Sequence, residues 1–196
     1  MINPPQRIKL TDGCPNHCKF CYEPKEIKTY PLPKYLGTDV QILDMNFLAN
    51  PQAREILKAL PKARYELVCG VDYRLLDQDY CNLFKEKGFI KMRWAWDYQF
   101  SQQKIHQNVL KMFEHAGYQA NDLSVFMIVN WGIPFIECCQ KLDLLKVWNV
   151  KVNDCCYDGG YALAKPKAWN IDQIKKFRAM CRKHNQLVRF RIDPEY

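Results

Sequence analysis

No run of apolar residues in this 196-residue chain approaches the ~20 needed to cross a bilayer, so no membrane-spanning segment is expected. The opening residues, Met1-Ile2-Asn3-Pro4-Pro5-Gln6-Arg7, lack the apolar stretch of a secretory signal, and a cytoplasmic location is the corresponding expectation. There is no concentrated basic run, no internal repeat and no low-complexity tract. His17, His106, His115 and His184 show neither H-x-E nor H-E-x-x-H spacing, which speaks against a catalytic zinc or a histidine-based hydrolase. A phosphate-cradling G-x-x-x-x-G-K-[ST] loop and a G-x-S-x-G nucleophile elbow are missing as well.

What is present fits a folded globular chain. Hydrophobic residues at 48% and charged residues at 26% lie near the averages for soluble domains, which excludes disorder and fibrous repeats. The length suits a single domain, residues 1–196, around one sizeable core. Lys and Arg number 29 against 21 Asp and Glu, a net charge of +8. That excess favours an anionic partner such as a nucleotide or nucleic acid, and a generally solvated surface accounts for it equally well. Ten cysteines in a chain with no export signal in view read as reduced thiols or metal ligands, so their spacing decides.

Strand and helix patterns alternate. Arg7–Leu10 is strand-like and ends in the turn signal Thr11-Asp12-Gly13. Strand Val40–Leu43 precedes a helix starting near Pro51, and strand Tyr65–Cys69 precedes a helix from Leu75 to Lys87 closed by Gly88. Strand Ile90–Trp96 leads to a helix from Gln102 to Ala116 closed by Gly117, and strand Leu123–Val129 to a helix opened by Pro134. Strand Val147–Val152 and a helix from Ile171 to His184 complete about six units. Such alternation predicts an α/β fold with a parallel sheet and outer helices, curled into a partial (βα)6 barrel with ligands at the strands' C-terminal ends. Glu23–Thr38, with Pro24, Pro31 and Pro33, is expected to be a loop over one end.

The most informative segment is Gly13-Cys14-Pro15-Asn16-His17-Cys18-Lys19-Phe20-Cys21-Tyr22. It spaces three thiols as C-x3-C-x2-C in one tight loop, able to converge on one metal centre. A 4Fe-4S cluster normally takes four thiolates; three, with no evident fourth at cluster spacing, leave one iron open for an exogenous ligand. The alternatives are a zinc site completed by His17, which lacks the second cysteine knuckle usual in structural zinc sites, or three unliganded thiols.

This motif resembles that of the radical S-adenosylmethionine (SAM) superfamily, C-x3-C-x-aromatic-C after the first strand of a partial (βα)6 barrel, with Phe20 in the aromatic position. The resemblance covers most of the chain and is strongest over residues 7–97. It implies a 4Fe-4S cluster on Cys14, Cys18 and Cys21, with the amino and carboxylate groups of SAM on the open iron. It also implies reductive cleavage of SAM to a 5′-deoxyadenosyl radical that abstracts a substrate hydrogen, and an external reducing partner such as flavodoxin or ferredoxin. The substrate, whether small molecule, nucleotide or partner protein, is not indicated.

Further strand ends fall where the family holds its cofactor. Asp44-Met45-Asn46 occupies the place of a Gly-Gly-Glu run that binds the methionyl amino group, so the resemblance implies Asp44 or Asn46 as substitute acceptors, or backbone carbonyls in their stead. Gly70-Val71-Asp72-Tyr73-Arg74-Leu75-Leu76 resembles a run found in a subset of the family and implies Arg74 as a grip on the SAM carboxylate, the alternative being Asp72 as a helix cap with Arg74 in the solvated first turn. Asp97 is implied for the ribose hydroxyls, or it caps the helix near Ser101; Asn130 or Trp131 is implied for the adenine edge, with Trp131 read chiefly as packing. The turn Asp154-Cys155-Cys156-Tyr157-Asp158 is a candidate substrate contact, and the paired cysteines 138–139 and 155–156 are read as packing.

Small family members include activases that form glycyl radicals on a partner protein and enzymes acting on small heterocycles. Two other readings stay open. One is a non-enzymatic metal module that binds nucleic acid through its basic excess and the exposed members of 5 Trp, 11 Tyr and 10 Phe. The other keeps fold and cluster but uses SAM as a structural or regulatory ligand.

Overall fold

Val40 and Ile42 alternate with Asp39 and Gln41, and this two-residue period buries the apolar pair completely while leaving the polar pair at the margin. That strand anchors the first of two compact units in the computed structural model, which describes residues 4–97, 99–157 and 169–190. The first unit comprises the chain up to Trp94 together with Lys111–Tyr118; the second comprises Ala95–Leu110 and the chain from Gln119 onward.

In the first unit β1 (Gln6–Ile8) leads to β2 (Thr11–Asp12), and β3 (Lys28–Thr29) follows the cysteine loop. Next come β4 (Asp39–Ile42), α1 (Ala53–Ala59), β5 (Arg64–Leu67) and α2 (Gln78–Lys87). Strands β1, β4 and β5 form a parallel sheet in that order, in register Ile8↔Ile42 and Ile42↔Leu67. Parallel bridges join Tyr65 to Phe89 and Val71 to Trp94. Tyr65, Phe84 and Phe89 pack as a ring cluster, with both pairs involving Phe89 at 4.9 Å. The Asp77 carboxylate caps α2 by accepting the Tyr80 N–H at 2.8 Å, and Gly88 closes it at φ 91°. A side chain there would stand 2.1 Å from the Ala63 carbonyl oxygen, so the helix can end this way only on glycine.

β6 (Arg93–Ala95) carries the chain out of the first unit, and α3 (Gln103–His115) runs from the second back into the first. His106, Val109, Leu110 and Phe113 make its buried stripe at helical spacing. β7 (Ser124–Val129), α4 (Phe135–Val147), β8 (Lys151–Cys156) and α5 (Ile171–Phe190) follow. The sheet order is β6-β7-β8, with β7 and β8 parallel from Ser124↔Lys151 to Val129↔Cys156. Trp169 packs against Phe135 and Phe177, and its indole N–H donates to the Ile133 carbonyl at 2.7 Å.

The fold class is therefore α/β with parallel sheets. The described strands make two three-stranded sheets and one two-stranded ladder, and these do not by themselves define the expected barrel. Several boundaries depart from expectation: α5 runs on to Phe190 in place of ending at His184, and β6 is confined to Arg93–Ala95 within the expected Ile90–Trp96. Glu23–Thr38 is not all loop, because β3 pairs antiparallel with β2. The last strand is not 147–152: Val147 belongs to the final turn of α4, Asn149 reverses the chain at φ 55°, and β8 starts at Lys151. Cys155 and Cys156 consequently lie in that strand and not in a turn. α2 starts at Gln78, not Leu75, because Asp77 supplies the cap. Asp158 lies outside the described residues. Among the described residues, no helix is long and apolar enough to cross a membrane.

Candidate metal centre

The loop holding Cys14, Cys18 and Cys21 is tied off at its base. β2 and β3 pair Thr11 with Thr29 and Asp12 with Lys28; beside them the Tyr30 N–H donates to the Leu10 carbonyl at 2.9 Å, and the Cys14 N–H to the Pro24 carbonyl at 2.8 Å. Gly13 makes the entry turn at φ 81°, where a Cβ would fall 2.0 Å from the Glu26 carbonyl oxygen. The Gly13 N–H donates to the buried Glu23 carboxylate at 3.3 Å. Inside the loop the Cys21 N–H donates to the Cys18 carbonyl at 3.0 Å, a tight turn that sets these two cysteines together. The Lys25 ammonium donates to the Asn16 carbonyl at 2.8 Å.

All three cysteines are half-buried thiols, Phe20 is half-buried between the last two, and His17 is exposed. Two sulfurs receive N–H donors: the Asn46 carboxamide reaches Cys14 Sγ at 3.3 Å, and the Glu23 backbone N–H reaches Cys21 Sγ at 3.4 Å. Desolvation lowers the Arg74 pKa, but the bonds to Asp72 outweigh it and hold the guanidinium above its usual value.

The strand ends of β4 and β5 meet this loop. Asn46 donates from the same Nδ2 to Asp72 Oδ2 at 3.0 Å, and Asn16 donates to that oxygen at 2.6 Å. Arg74 clamps Asp72 through Nε to Oδ1 at 2.7 Å and Nη2 to Oδ2 at 3.1 Å. Burial alone pushes the Asp72 carboxyl up, but the Arg74 and Asn16 bonds outweigh it and hold the pKa below the usual carboxylate range. Asp72 is thus not the cap of α2, a role that falls to Asp77. Asn46 is 2% exposed, and its Oδ1 has no hydrogen-bond partner, so a buried acceptor is left open on the same carboxamide as the nitrogen that touches Cys14.

Asp44 is fully buried and accepts the Leu10 N–H at 2.8 Å; burial raises its pKa, against the bonds from Leu10 and Thr11. Cys69, just past β5, is held in its thiol form first by burial and then by the charges of Glu23 and Asp44.

The remaining sequence candidates belong to the second unit. Asp97, half-buried, accepts the Ile128 N–H at 2.9 Å and so braces β7. Asn130 adopts φ 65°, donates to the Tyr157 carbonyl at 3.0 Å and accepts the Trp169 N–H at 3.1 Å. Trp131 stands edge-on to Tyr157 at 4.5 Å. Cys138 is buried on α4 with its thiol pushed up to about 12 by burial, in keeping with packing, whereas Cys139 and Cys156 are half-buried and Cys155 is exposed on β8, against its reading as a packing residue. Residue patterns did not reveal Asn16 or the hub role of Asp72; the only available signal was a carboxamide between two motif cysteines.

Among the described residues no three His, Cys, Asp or Glu side chains are gathered tightly enough to hold a metal ion. No protein-family model matches the chain, and no curated protein matches it.

Proposed function

We propose that the protein is a radical SAM enzyme in which Cys14, Cys18 and Cys21 hold a 4Fe-4S cluster with one open iron. The observation that carries this is the juxtaposition at Cys14: the three-cysteine loop, Asn46 from the end of β4 and Asp72 from the end of β5 share one hydrogen-bonded network. Convergence of successive parallel strand ends on one loop is where an α/β sheet binds its ligands. Leaving aside the β2–β3 ladder, the strands of each three-stranded sheet lie in chain order, β1-β4-β5 and β6-β7-β8, an order compatible with a (βα)6 barrel.

The donor set suits a cluster. Three thiolates on one ion must converge on a point, whereas thiolates on a cubane each take a separate iron, so a loop without that convergence is compatible with the cluster. When bound, cluster and SAM together supply the 5′-deoxyadenosyl radical for hydrogen abstraction from substrate. The chain's own groups have distinct tasks. The open Asn46 Oδ1 accepts from the SAM ammonium, Arg74 presents a guanidinium to the carboxylate, and Asp72 orients both. Asp44 stays buried beneath them as a support of the Leu10 backbone.

Anaerobic reconstitution with iron and sulfide, reduction in the presence of SAM and assay of 5′-deoxyadenosine test the proposal against a triple variant, Cys14→Ala, Cys18→Ala, Cys21→Ala. Product that depends on the cysteines is the expected result. A full cluster that yields no more product than the variant would reduce the role to ligand binding, and exclusive zinc content would reject the assignment.

A second reading, a non-enzymatic metal module for nucleic acid, is favoured by one observation. Tyr22, Tyr30 and Tyr35 stand 64%, 42% and 76% exposed on the lysine-bearing segment that leaves the cysteine loop, as stacking groups do. Zinc-loaded, colourless protein that binds single-stranded nucleic acid would favour it.

A further inference from the structure

The Asn46 carboxamide has an unusual pair of partners. One nitrogen donates both to a motif sulfur, Cys14 Sγ at 3.3 Å, and to a carboxylate, Asp72 Oδ2 at 3.0 Å. The opposite orientation would set Oδ1 against two acceptors, so Asp72 fixes which end of the amide faces the sulfur. Asp72 is itself immobilised, by the two-pronged Arg74 clamp and by Asn16 from within the cysteine loop, and its side chain is 5% exposed. The donor is therefore buried, oriented and locked, in contrast to a surface amide that exchanges its bond with water.

We infer that Asn46 is a positioning residue that sets the reduction potential of the cluster, with Asp72, Arg74 and Asn16 as the frame that aims it. This rests on the cluster assignment proposed above. Adding one electron from an external reductant to the oxidised cluster makes and breaks no covalent bond, and it increases the negative charge carried by the ligating sulfurs. An N–H pointed at Cys14 Sγ interacts more strongly with the electron-rich sulfur, so it favours the reduced state and moves the potential upward. The Glu23 N–H to Cys21 Sγ acts in the same direction from the backbone. A side-chain donor differs in being replaceable, and it couples the potential to the loop after β5, which is not itself a ligand.

The test is a redox titration of the reconstituted protein without SAM, followed by electron paramagnetic resonance, for wild type, Asn46→Leu and Asn46→Asp. Both variants are expected to hold a cluster of normal absorbance at a more negative potential, Asn46→Asp the more so because it places a carboxylate against the sulfur. Equal potentials in the three proteins overturn the inference and leave the cluster assignment standing. Wild-type protein labelled with 15N only at the asparagine side-chain nitrogens provides a check that needs no variant. A 15N coupling to the reduced cluster in pulsed resonance is expected, and its absence overturns the inference even if neither variant folds. If wild type takes up no iron-sulfur cluster, the functional assignment fails first and the inference falls with it.

Discussion

Arg74 and Asp72 form a two-pronged ion pair within one turn of chain, Nε to Oδ1 at 2.7 Å and Nη2 to Oδ2 at 3.1 Å. The guanidinium is half-exposed, while the carboxylate is buried behind it. Such a pair presents a cation held in one direction, which a lysine cannot reproduce.

The first prediction concerns that fork. Arg74→Lys keeps the charge and loses the planar geometry, and it is expected to weaken SAM binding to the reconstituted protein by about 10-fold, with Arg74→Met weaker again. Equilibrium dialysis with radiolabelled SAM measures both, and unchanged binding in the Met variant would remove Arg74 from the site.

Asn130 provides a stability prediction. Its amide satisfies the Tyr157 carbonyl and the buried Trp169 N–H from a backbone at φ 65°. Asn130→Ala leaves both groups unmet and puts alanine in a left-handed conformation, so a loss of about 2–4 kcal/mol is expected in urea unfolding. Asn130→Gly removes the backbone cost alone and should recover only a minor part of the loss.

Acid sensitivity should trace to His106. This side chain is fully buried and stacks on Trp96 at 4.6 Å; burial, and then the charge of Lys141, lower its pKa to about 3. Below the unfolded value near 6.5 the unfolded chain binds a proton that the folded chain refuses, so stability falls as pH drops from about 6.5 towards about 3. The slope is about 1.4 kcal/mol per pH unit for one such group. His106→Phe keeps a ring against Trp96 and should flatten this limb by about that amount in chemical denaturation between pH 6.5 and 4.

Gly13→Ala tests the loop entry. With the Cβ 2.0 Å from the Glu26 carbonyl oxygen and φ at 81°, the turn must open. Iron bound per chain after reconstitution should drop severalfold while far-ultraviolet circular dichroism stays near wild type; full iron loading would show the turn to be dispensable.

Legibility followed the range of the interactions. β4, β5 and β7 were readable because alternating or continuous apolar runs are local signals, and α2 and α3 because Gly88 and Gly117 mark their ends. β3 was not, since both its residues are exposed and its only reason to extend is the partner strand β2. Val147-Trp148-Asn149-Val150 reads as strand by composition, yet the left-handed Asn149 makes it a helix exit. The same division runs through the candidate site. Three cysteines in one loop form a pattern, whereas Asn16 to Asp72 and Asn46 to Cys14 join residues 56 and 32 positions apart. For Asp97 and Asn130 the strand-end position was visible, but not the Ile128, Tyr157 and Trp169 backbone groups that engage them.

The β2–β3 ladder, two residue pairs long, has an effect out of proportion to its size. Gathering three thiols from an open chain means forfeiting the freedom of every link between them, a loss the incoming metal would have to overcome in binding. Here the ladder and the Cys14–Pro24 bond close the segment into a small ring through the chain's own backbone, so the proposed cluster would not have to supply that closure itself. Damage at Lys28–Thr29, downstream of the last motif cysteine, should therefore surface as poor metal retention, and a screen for iron content would find determinants that lie outside the motif.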